Sequence, residues 1–165
     1  MEMDGVHPDL STTMITNSRG KHYANRTLGV EYLKSVYPSF KKRYDWFRRT
    51  QWGDLESYNR KSRSKEAYRW RGRSGYHTLT SGLDDYPRSP APHPGELHLD
   101  LICWVGFMAK SLEKFSNVIG NEADAKRFGK ELKDVLASLE DLHWDQSANA
   151  FTDLTVNDAG MLLDF

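Results

Sequence analysis

Three stretches of this chain repeat their apolar residues at steps of three and four, a rhythm that only a helix gathers onto one face. In residues 30–51 the repeat is Leu33, Val36, Phe40, Tyr44 and Phe47. From near Gly95 it is Ile102, Val105, Ala109, Leu112, Phe115 and Ile119, closed by Gly120. In residues 122–142 it is Phe128, Leu132, Val135, Leu139 and Leu142, with Asn121 as the expected N-cap. Pro38 falls inside the first repeat; it is expected to kink that helix or to stand in the first turn of one that begins near Tyr37. Residues 1–28 lack any period and are expected to be loop or a poorly ordered terminus. No hairpin is expected, so the fold class predicted is all-α.

Between the first two helices lies a long loop. Pro87, Pro90, Pro92 and Pro94 withhold amide donors and disfavour helix just before themselves, so the chain there must be extended or turning. The chain of 165 residues has 38% hydrophobic residues, enough for a real core, and 12% aromatic residues, rings of the kind that line sugar sites. The formal net charge is zero but unevenly spread. Residues 41–73 hold 12 Lys or Arg against 4 Asp or Glu, while residues 121–165 hold 10 acids against 4 bases. A nucleic-acid surface is one reading of the basic stretch, but a pI of about 7.0 for the whole chain weighs against it. No run approaches the 18 apolar residues that a membrane span requires. The one cysteine, Cys103, has no internal partner and is expected to be a buried thiol.

The loop carries the chemistry. Asp84 and Asp85 stand side by side, and Glu96 and Asp100 follow one turn apart on an expected helix face. Arg71, Arg73, Arg88, Trp70, Tyr86 and Trp104 surround them in sequence. Glycoside hydrolysis uses such a set: one carboxylic acid protonates the leaving oxygen, and a second carboxylate activates water or attacks the sugar. Burial and negative neighbours keep the acid protonated near neutral pH. The same residues also suit a turn, a helix start and ordinary ion pairs. His93 and His98 flank the acids without a zinc spacing.

The motifs AYRWRGR (67–73), LTSGLDDYPRSP (79–90) and GELHLDLICWVG (95–106), in this order, resemble glycoside hydrolase family 63, the family of the processing alpha-glucosidases. YPSFKKRYDWFRRTQWGD (37–54) and FTDLTVND (151–158) resemble it too, so the likeness runs from about residue 28 to 160. The resemblance implies that residues 29–165 are part of a catalytic domain built as an (α/α)6 toroid, with 1–28 outside the family pattern. It implies an inverting exo-glucosidase that removes the terminal alpha-1,2-linked glucose from the Glc3Man9GlcNAc2 N-linked glycan in the endoplasmic reticulum lumen, in a full-length protein with a membrane anchor. The acid it implies is Asp84, the first aspartate of GLDDYPR. It points to Glu96 and Asp100 for substrate binding, shaping the site around Asp84. Trp70, Asp85 and Tyr86 are expected to bind substrate beside them, and Arg71 and Arg88 either to contact the sugar or to pair with the acids. It implies no metal, no cofactor and no nucleic-acid partner. The family's general base is a glutamate well downstream, so a lone 165-residue piece is expected to be inactive, or else a small helical binding module.

Overall fold

The computed structural model describes residues 19–75, 77–83, 86, 88, 92–156 and 162–163. Three helices dominate: α1 (Arg19–Thr50), α2 (Leu99–Ile119) and α3 (Glu122–His143). A single 3-10 turn spans Leu79–Ser81. Short antiparallel pairs follow α3. The first joins β1 (Trp144–Asp145) to β2 (Ala150–Phe151), and the second joins β3 (Thr155–Val156) to β4 (Leu162–Leu163). The all-α class holds.

Helix α2 is the middle layer and packs against both α1 and α3. Its Ile102, Val105, Ala109 and Leu112 are buried with Phe128 and Val135 of α3 and with Tyr37 and Tyr44 of α1. Each large side chain so buried contributes about 1.5–3 kcal/mol, which is why the stripes of α2 and α3 match the sequence periodicity. The stripe of α1 is shifted: Tyr37 and Tyr44 are the buried pair, while Phe40 is exposed and meets only the edge of the core at Phe115. The turn between α2 and α3 is as expected. Gly120 takes the left-handed conformation (φ 78°) that ends α2, and the Asn121 side chain accepts the Asp124 amide hydrogen bond that caps α3.

Several expectations are corrected. Helix α1 begins at Arg19, inside the segment expected to be loop, and Pro38 lies within it rather than at its start. Helix α2 begins at Leu99, not near Gly95, because the backbone of Leu97 and His98 is hydrogen-bonded to Leu154 and Tyr68. Cys103 is exposed, one position off the buried stripe. The β1–β2 hairpin was not foreseen; Asp145 accepts from the Ser147 and Ala148 amides, and Asn149 at φ 52° completes the turn.

The segments that frame the loop form an irregular layer beside the helix ends. The Gly53 amide donates to Ala67 and the Arg69 amide to Gln51, at 2.8 Å each. The His98 amide donates to Tyr68 (2.9 Å), and Leu97 exchanges two backbone hydrogen bonds with Leu154. At Gly53 a Cβ would stand 2.3 Å from the buried Leu97 side chain, so a larger residue there requires Leu97 to shift.

Charge segregation in the sequence becomes pairing in space. Lys41 reaches Asp124 (2.7 Å), Arg48 reaches Glu131 (2.7 Å), and Arg63 reaches both Glu140 and Asp141. Part of the basic stretch therefore faces acids of the C-terminal third.

Candidate active site

Asp84 and Asp85, the two acids at the centre of the sequence reading, lie outside the described residues. Of the residues that follow them most closely, Tyr86 and Arg88 are described, and Arg88 is the centre of a cluster. Its side chain is buried, 6% exposed, and is held by two carboxylates. One guanidinium nitrogen donates to Asp100 Oδ2 at 2.8 Å, and another donates to Asp153 Oδ2 at 2.7 Å. The ring of Tyr86 lies against the guanidinium at 4.9 Å from its centroid. Partial burial, and then Asp153, push the Tyr86 hydroxyl above its usual range.

Both acids are tied down in turn. Asp100 sits in the first turn of α2 and also accepts from Trp70 Nε1 at 3.0 Å. Asp153 Oδ1 accepts from the Leu99 amide at 2.7 Å, so it caps α2 from a distant loop in place of the side chain of His98. Arg88 thus fastens the segment just after Asp84 to the start of α2 and to residues 152–154.

A second buried pair stands alongside. Arg73 meets Glu96 at 3.2 Å, and each side chain is 2% exposed. His98 Nδ1 accepts from the Trp70 amide at 2.8 Å, which leaves the proton of the neutral ring on Nε2, facing Glu96 Oε2 at 3.6 Å. Glu96 and Asp100 do not share a helix face, since Glu96 precedes α2. They belong instead to two adjacent ion clusters joined by Trp70, whose amide serves one cluster and whose indole serves the other.

The expected site residues therefore separate by exposure. Trp70 is buried against Phe47, and Glu96 is enclosed, so both are placed to support a site. Tyr86 is exposed, and Arg71 is exposed with its guanidinium donating to the Trp52 carbonyl. Asp153 and His98 were not selected from the sequence. Asp153 had one signal, its place in FTDLTVND, but no local spacing ties it to Arg88. Among the described residues no three His, Cys, Asp or Glu side chains are grouped as metal ligands. No helix among them is long and apolar enough to cross a membrane.

His143, at the end of α3, lies beside this region. Burial pushes its ring down from 6.5 to about 4, although Nδ1 is bonded to the Thr152 carbonyl at 2.8 Å. A histidine kept neutral in the fold but protonated when unfolded favours unfolding as pH falls. Equilibrium unfolding of this chain is expected to lose stability between pH 6.5 and about 4, by about 1.4 kcal/mol per unit and about 3 kcal/mol in all. His143→Asn, which keeps a donor to Thr152, should flatten that window. The carboxylates held low by hydrogen bonds, such as Asp124 and Asp145, act only below it.

A family profile described as "Glycosyl hydrolase family 63 C-terminal domain" matches residues 10–164. The chain belongs to glycosyl hydrolase family 63. The match reaches back into the segment expected to stand outside the family pattern. The chain is 37% identical over 155 residues to the "Probable mannosyl-oligosaccharide glucosidase" of Schizosaccharomyces pombe, covering 93% of this chain and 19% of that one. It is 36% identical over 143 residues to the mannosyl-oligosaccharide glucosidase of Saccharomyces cerevisiae, covering 81% of this chain and 17% of that one. It is also similar, at 28% over 142 residues, to "Alpha-glucosidase 2" of Arabidopsis thaliana, covering 79% of this chain and 17% of that one. The chain spans about a fifth of the length of these curated relatives.

Proposed function

We propose that this chain is the part of an (α/α)6 toroid that carries the general acid of an inverting exo-alpha-glucosidase. The full-length protein would remove the terminal alpha-1,2-linked glucose from the Glc3Man9GlcNAc2 N-linked glycan in the endoplasmic reticulum lumen. The observation that carries the reading is the anchorage of Arg88. Buried and held between Asp100 and Asp153, it fixes the chain four residues after Asp84. The names of the fungal relatives support the substrate class. Asp84 is the acid in this reading, and Tyr86 and Arg71 are the exposed side chains available to sugar hydroxyls. Glu96, Asp100 and Trp70 hold the frame.

In an inverting site the base carboxylate stands about 6.5–9.5 Å from the acid, with a water between them. The test is the anomer first released when full-length protein is given a glucosylated high-mannose oligosaccharide. Proton NMR should show beta-glucose before mutarotation. Alpha-glucose appearing first would overturn the inverting assignment, and no release of glucose would overturn the substrate.

A further inference from the structure

A cleft of about 720 Å³ opens beside the turn that follows α1, away from the Arg88 cluster. Its walls include Trp52, Asp54, Arg60, Lys61, Lys65 and Arg71, with Glu56 at its side. The cations outnumber the acids, and both acids are engaged. Asp54 accepts from the Ser57 amide at 3.0 Å, and Glu56 faces Lys65 at 3.4 Å.

Arg60 is the unusual member of this wall. It is 8% exposed, yet its Nε, Nη1 and Nη2 have no hydrogen-bond partner among the described residues. The Tyr58 ring stands 5.8 Å from its guanidinium, and the Asp54 carboxylate acts on its charge without a hydrogen bond. The backbone fixes it there: the Arg60 amide donates to Leu55 at 3.0 Å, and Asn59 before it stands at φ 52°. A guanidinium carries five N–H donors, and taking them from water without an acceptor costs several kcal/mol. Burial also holds the Arg60 group down, to about 10. A fixed turn that hides a guanidinium without a hydrogen-bond acceptor, at the wall of a cleft where cations outnumber acids, is the arrangement expected where an anionic oxygen completes it.

We propose that this cleft is an oxyanion-binding site in which Arg60 grips a carboxylate or phosphate group. Two sources offer that chemistry: a carboxylate from the longer polypeptide, of which the relatives show about five times this length, or a free anion.

Thermal unfolding of full-length protein, as wild type, Arg60→Met and Arg60→Lys, with and without inorganic phosphate, separates the sources. A saturable rise in Tm with phosphate in wild type, lost in Arg60→Met, supports a free anion. No phosphate effect, a lower Tm in Arg60→Met and recovery of at least about half that loss in Arg60→Lys supports a carboxylate of the chain, because breaking a buried pair destabilises while a conserved cation restores it. The proposal is overturned if phosphate raises Tm as much in Arg60→Met as in wild type, or if phosphate has no effect and either Arg60→Met is neutral or stabilising or Arg60→Lys is no better than Arg60→Met. Because the readout is stability, its failure is distinct from failure of the glucosidase reading.

Discussion

Asp84→Asn in the full-length protein is expected to lower glucose release from the glycan by a factor of about 10²–10⁴ while leaving the fold intact. Asparagine matches aspartate in size but has no proton to give. The leaving oxygen of a glycosidic bond must be protonated as the bond breaks, so the loss falls on turnover and not on substrate binding. A second substrate makes the test specific. Alpha-glucosyl fluoride expels fluoride with little need of an acid, so the variant should keep far more of its activity on the fluoride than on the oligosaccharide. Equal losses on both substrates would assign Asp84 another role, and unchanged turnover on the oligosaccharide would remove it from the site.

The helices were legible because their information is local. Ile102, Val105, Ala109 and Leu112 repeat at the helical period and are buried together, and Gly120 and Asn121 end one helix and cap the next as their side chains dictate. Boundaries were less legible. Helix α2 starts four residues late because the backbone of residues 97–98 pairs with Leu154 and Tyr68, partners that no local pattern reveals. The site was legible in its motifs but not in its wiring. Asp153 lies 65 residues from Arg88 in sequence, and a lone aspartate carries no spacing signal. Cys103 shows the cost of a one-position error: an apolar neighbourhood in sequence does not fix which side of a helix a residue takes.

The uneven charge of the sequence has the same explanation. Acids of the C-terminal third are partners for the basic stretch and for Arg88, so one pattern serves both the ion pairs between α1 and α3 and the anchoring of the site. Arg88 is where the two purposes meet, and Arg88→Met should expose the connection. Methionine fills much of the volume without charge and leaves Asp100 and Asp153 facing each other with no cation between them. Breaking such a buried pair costs about 3–5 kcal/mol. The loss is expected in equilibrium unfolding of this chain, and activity of the full-length protein should fall with it as the segment bearing Asp84 loses its anchor. Asp153→Asn is the milder change, because its remaining oxygen can still accept from the Leu99 amide. If Arg88 and Asp153 act as a unit, the double variant will be less destabilised than the sum of the two single changes, by about 0.5–3 kcal/mol. Strict additivity would mean that the 2.7 Å contact is incidental, and that Arg88 is held by Asp100 alone.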